Sequence, residues 1–272
     1  MKFSGLVSGL AIVGAAVAAP PKTPVECKLP TTKIAGVEVV NTKIVQDALT
    51  LVKAFIPLQP YLYNHVVRTW LLGAAALNNN ATLKAQVDLE LHAVGSLLHD
   101  LGWDQRANTP YNSHAYRFEI ESGVAAVNFV KAHPDGKNWN AARLERLYDG
   151  IALQTIIGLS DFKNIDTQWI VKSIGFEFPQ PRSPLIPAKF YDSVQGAYTN
   201  STLFRGTNDT FTRFAVKDPE TTYNTFLDVF GEQYVPGYNE KGARLFDLIQ
   251  GGIALELAQY PNVPFTPLPP VH

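Results

Sequence analysis

His99 and Asp100, adjacent in Leu97-Leu98-His99-Asp100-Leu101-Gly102, end a strongly apolar helical run with an imidazole and a carboxylate side by side. Both side chains can donate to a divalent metal, so two neighbours can serve one ion. On these residues alone the plainer reading is a polar helix terminus, where an imidazolium gains about 0.3–1 kcal/mol from the helix dipole. A metal requires something else to converge on it. His65, in Tyr61-Leu62-Tyr63-Asn64-His65-Val66-Val67-Arg68, is the candidate. It lies too far upstream to share an element with His99, so two helices must pack side by side, as helical folds do when they build interior metal sites. Arg68, one turn after His65, shares its face and can reach the mouth of such a site. Its alternative is a surface ion pair worth little. His92 lies two near-complete turns before His99 and reads either as an outer residue of the site or as an ordinary histidine.

Helical periodicity supplies the elements that must carry these residues. Residues 42–55 place Ile44, Val45, Ala48, Leu49 and Val52 on one face, and the period resumes over 62–77. A helix over 82–99 carries Leu83, Val87, Leu91, Val94 and Leu98 on its stripe, with Leu101-Gly102 as the stop. Further helices are expected over 116–132 and 141–158, followed by an irregular Pro-rich excursion over 179–187 and late helices over 221–230 and 240–260. Strand-like alternation is scarce, and the expected fold is all-α. Residues 41–272 form its single domain, and 19–40 form an extended lead-in.

The chain has 272 residues, of which 46% are hydrophobic, enough to bury a sizeable core. Its formal charge of −1 gives no electrostatic case for nucleic acid or an anionic membrane, and fits a small neutral ligand better. Cys27 is the single cysteine, which excludes an internal disulfide and a thiolate zinc cluster, so His, Asp and Glu must hold any metal. Residues 1–18 combine Lys2, a short apolar run and Ala16-Val17-Ala18, and read as a secretory signal peptide. The run is too short and too rich in Gly and Ala to be a good membrane span. Triplets beginning at Asn80, Asn200 and Asn208 sit in polar stretches that read as exposed loops, and agree with glycosylation of a secreted protein.

The ordered set of His65, Arg68, Leu98-His99-Asp100-Leu101-Gly102, Arg117-Phe118-Glu119 and Asp149-Gly150-Ile151-Ala152-Leu153-Gln154-Thr155 resembles the HD-domain metallohydrolases, in particular their cyanamide hydratase-like branch. The resemblance runs from about residue 61 to 181. It implies a helical domain with the metal between packed helices and His65, His99 and Asp100 as ligands. A fourth carboxylate is expected where this chain has Glu177 rather than Asp, with Asp149, Asp161 and Asp166 as alternatives. Mixed imidazole and carboxylate ligation suits zinc, with iron or manganese as the other choices, better than magnesium or calcium. Glu119 is expected to accept a proton or fix a ligand histidine, while Glu121 meets solvent. Gln154 stands where the branch carries a histidine; it can bind substrate but cannot act as an acid or base. The implied activity is addition of metal-activated water to a small nitrile-like substrate. A phosphohydrolase of the same superfamily and a non-catalytic scaffold with a drifted site are the alternatives.

Overall fold

The computed structural model describes residues 29–178 and 182–269. The leader over 1–18 and Cys27 lie outside these residues. The described chain is all-α apart from one hairpin: eleven helices and two short strands.

The hairpin corrects the extended lead-in. Strand β1 (Thr31–Ile34) pairs antiparallel with β2 (Val37–Val40), Thr31 opposite Val40 and Ile34 opposite Val37. Ala35 and Gly36 form the two-residue turn, both with positive φ (46° and 77°), the backbone that matches the twist of paired strands. Val37, Val39 and Val40 are buried, and β2 packs on helix α2 (Pro60–Asn78).

Helix α1 (Lys43–Val52), extended by a 3-10 turn over Lys53–Phe55, occupies the expected 42–55 segment. Pro60 opens α2 at its first turn, where a missing N–H costs nothing. From His65 to Leu77 every residue of α2 is buried, so it is the central helix of the core.

The single helix expected over 82–99 is broken. Helix α3 (Ala81–Lys84) stops after one turn, and α4 (Leu89–Leu98) starts afresh. Asp88 causes the break. Its backbone is extended, its side-chain Oδ1 caps α4 by accepting from the Leu91 N–H at 3.0 Å, and the same carboxylate pairs with Arg143 at 2.6 Å.

Helices α5 (Phe118–Ala132), α6 (Ala141–Ala152) and α7 (Ile165–Gly175) complete the core around α2 and α4. Close approach needs small residues at the crossings. A Cβ on Gly73 of α2 would lie 2.2 Å from Ser173 Oγ and 2.5 Å from His92 Nε2, so that glycine lets α2, α4 and α7 meet.

Helices α7, α8 (Ala188–Ala197) and α9 (Leu203–Lys217) lie where no helix was expected. The late helices are shorter than expected: α10 spans Asp228–Tyr234 and α11 spans Leu245–Gln259. No residue of α11 is buried, although it carries Leu245, Phe246, Leu248, Ile249, Ile253, Leu255 and Leu257.

Candidate metal centre

Helix α2 carries His65, and the end of α4 carries the His-Asp pair. His99 is the C-cap of α4, still in helical conformation, whereas Asp100 turns out of it at φ −117°, ψ 30°. A 3-10 turn, Leu101–Trp103, follows. Gly102 in that turn allows α5 to close over it: its N–H donates to Ser122 Oγ at 2.9 Å, and a Cβ would lie 2.6 Å from the Phe118 carbonyl oxygen. The Leu-Gly after the His-Asp pair is therefore a packing requirement of the site.

Three side-chain atoms meet as a buried triangle. His65 Nε2 and His99 Nε2 are 3.1 Å apart, and Asp100 Oδ2 is 3.3 Å from the first and 3.1 Å from the second. All three residues are at most 1% exposed. The partners behind each ring fix what the triangle contains. His99 Nδ1 is 2.8 Å from the Ser96 carbonyl oxygen, which can only accept, so Nδ1 carries the hydrogen. His65 Nδ1 lies 3.2 Å from Glu177 Oε2 and donates in the same way. In their neutral forms both rings therefore point bare Nε2 lone pairs at each other and at a carboxylate. Neither oxygen of Asp100 has a hydrogen-bond partner. Buried acceptors without a donor are costly, and a cation at the centre satisfies all three.

The spacing fits such an ion. Ligand atoms about 2.0–2.2 Å from a metal stand about 2.8–3.6 Å apart in octahedral or tetrahedral shells, and the three observed edges of 3.1–3.3 Å fall within that range. The cluster of His65, His99 and Asp100 could thus hold a metal ion. Without one, protons take part of its place. Burial pushes the His65 pKa down, but Asp100 and Glu177 outweigh it and hold the pKa above 6.5. Burial likewise pushes Asp100 up, and the two histidines more than reverse this.

Glu177 is not a fourth ligand in this geometry. It stands behind His65, on the Nδ1 side away from the triangle, where Arg68 holds it through Nε at 2.8 Å and through a second, shorter contact from its terminal nitrogen. Burial raises the Glu177 pKa, but His65 and Arg68 more than offset this and keep the carboxyl ionised. The extra methylene relative to Asp suits that outer position. Asp149 pairs with Lys163 at 2.6 Å, Asp166 pairs with Arg146 at 3.1 Å, and Asp161 is exposed. None of the three joins the cluster.

Arg68 is likewise neither at the mouth nor on the surface. It is completely buried, and besides Glu177 it donates to the carbonyls of Tyr198 and Thr199 at 3.1 and 2.7 Å. The loop after α8 supplies these carbonyls, so the missed helix contributes to the site. Glu119 touches neither His65 nor His99. It is buried between Arg117, at 3.0 Å, and the Thr155 hydroxyl. Glu121 is buried too and accepts from Ser113 instead of meeting solvent. His92 serves the core: Ser173 gives its hydroxyl hydrogen to the Trp169 carbonyl, so His92 Nε2–H donates to Ser173 Oγ at 3.0 Å. Burial pushes its pKa down to about 3.

Gln154 does reach the site. Its Nε2 donates to the His99 carbonyl at 3.0 Å, and it lines a cavity of about 470 Å³ whose floor includes His65 and Asp100. Trp103 stacks on the His65 ring at 6.0 Å and 19°, and Phe178 meets that ring edge-on at 5.8 Å. Among the described residues no Lys or Arg lines the cavity.

Of the acceptor triplets, Asn80 is exposed and caps α3, and Asn200 lies in the loop before α9. Asn208 is not in a loop: it lies within α9, and Thr210 of its triplet is buried against the Tyr61 hydroxyl. No helix is long and apolar enough to cross a membrane among the described residues. No family model and no curated protein matches the chain.

Proposed function

We propose that this chain is a metal-dependent hydratase of the HD-domain type, similar to the cyanamide hydratases, acting on a nitrile-like substrate. The observation that carries the reading is the buried, donor-free triangle of His65, His99 and Asp100 at the floor of a cavity without cationic lining. A divalent ion there, zinc in the first instance, would polarise the substrate nitrogen and lower the pKa of a water from 15.7 towards about 7.

The chain's own groups do the rest. His65 is oriented by Glu177, and Glu177 by Arg68, so the ligand ring keeps its tautomer and its aim. Asp100 uses Oδ2 towards the triangle, while Oδ1 has no partner and can accept a proton. In the proposed reaction Asp100 Oδ1 takes a proton from the attacking water as its oxygen bonds to the nitrile carbon and one C–N π bond opens. Returning that proton to nitrogen gives the imidic acid, which tautomerises to the amide. The atoms of water and nitrile are all retained in the product.

Phosphate ester hydrolysis fits less well, because transfer of a charged phosphoryl group calls for Lys, Arg or a helix N-terminus at the substrate. The test is a panel of nitriles and phosphoesters with the zinc-loaded full chain. Amide formation without phosphate release, abolished in His99→Ala, is expected. Phosphate release, or turnover that survives His99→Ala, contradicts the reading. The same reading takes the chain as secreted, and an N-terminus at Ala19 in exported protein would bear this out.

A further inference from the structure

The chamber is much larger than a nitrile group requires. It is a cleft open to solvent with room for about 470 Å³, whereas three non-hydrogen atoms, each taking at most a water's share of about 30 Å³, fill under about 90 Å³. Its walls beyond the ligands are apolar, chiefly Phe118, Phe178, Phe211, Phe226, Val171 and Ile174, and Ile157 stands fully exposed beside them. Few polar side-chain groups near His65 and Asp100 are free: Gln154 Nε2 donates to the His99 carbonyl, the Thr155 hydroxyl is hydrogen-bonded to Glu119, and the buried Trp103 indole N–H is the donor left without a partner. A polar substrate body would lose its hydration here with little in return, which is how a site rejects it. Water filling the chamber finds few partners, and an apolar body displaces it favourably.

Resting on the hydratase reading, we propose that the site takes nitriles borne on an aryl or medium-chain alkyl body, in preference to cyanamide itself. The apolar wall binds the body, and the nitrile points down to the floor formed by His65 and Asp100.

The zinc-loaded full chain should be assayed with cyanamide, a straight-chain series from acetonitrile to hexanenitrile, and phenylacetonitrile, the amide being measured by chromatography. In parallel, phenylacetamide and acetamide should be titrated against tryptophan fluorescence, which Trp103 places in the chamber. We expect kcat/KM to rise about three- to fourfold per methylene and phenylacetamide to bind at least tenfold more tightly than acetamide. Val171→Phe, which narrows the chamber, should flatten both trends. Tight, Val171-sensitive phenylacetamide binding without hydration of any nitrile would support the apolar chamber while overturning the hydratase reading. Cyanamide turnover with no gain along the series would overturn this inference and leave the hydratase reading standing, and so would equal binding of the two amides.

Discussion

At the scale of single residues, the ligand triangle was legible and its supports were not. His65, His99 and Asp100 could be read because the pair and the upstream histidine fall on two helical segments expected to pack together, and the three side chains meet within 3.3 Å. Glu177, Arg68 and Glu119 were assigned to the site by position in the chain, but a carboxylate's role depends on which ring nitrogen it faces. No spacing rule encodes that. Glu177 and Arg68 form one buried unit behind His65, so the structure predicts an effect on affinity from a residue that touches no metal. Glu177→Gln keeps the shape but removes the charge that holds the His65 tautomer, and such outer carboxylates contribute 10–100-fold to metal affinity. Competition with a chromophoric chelator should show zinc binding weakened by about that factor. Unchanged affinity would mean that Glu177 serves only to neutralise Arg68.

At the scale of elements, periodicity located α1, α2 and α5 to within a few residues, because each buries a regular apolar stripe, and it located the start of α6, which ends at Ala152 instead of continuing to 158. It failed where capping or composition overrides the stripe. Asp88 lies inside an unbroken apolar pattern, yet its carboxylate caps α4 and binds Arg143, and those bonds end the previous helix. Helix α9 was hidden because Gly206, Asn208 and Thr210 suggest a loop. The signal that could have revealed it is the spacing of Leu203, Thr207, Thr210, Phe211 and Phe214, all buried on one face.

His92 gives the packing of α2, α4 and α7 a measurable pH signature. Its pKa falls to about 3 in the fold, against about 6.5 in an unfolded chain. Between these values the unfolded chain holds a proton that the folded one does not. The stability is therefore complete above about pH 6.5 and declines as the pH falls towards 3, costing about 2 kcal/mol by pH 5. His65, whose pKa is raised, contributes in the opposite sense over the same interval, so the His92 contribution is read by urea unfolding of chelator-treated wild type and His92 variant at pH 7 and pH 5. His92→Gln, which can still donate to Ser173, should lose about 2 kcal/mol less over the same interval. Equal losses would place the acid sensitivity elsewhere.

At the scale of the whole molecule, the all-α class followed from the scarcity of strand alternation, and the hairpin at 31–40 escaped because each strand has only four residues. The helical domain was expected to continue to the end of the chain, but α11 buries none of its residues. An apolar helix reads as core in a sequence, because nothing in its periodicity says whether a partner surface exists. Removing residues 245–272 should therefore leave the melting temperature within a few degrees and the zinc affinity unchanged, as read by calorimetry and chelator competition. A large fall in either would show that α11 supports the core.

The claim on which the account turns is that His65, His99 and Asp100 jointly hold a metal ion, and metal analysis of the purified full chain tests it most directly. After exposure to zinc and gel filtration, elemental analysis should find one equivalent per chain in the wild type and almost none in His99→Ala, with both proteins folded by circular dichroism. A wild type without stoichiometric metal, or a His99→Ala protein that retains it, would contradict the account.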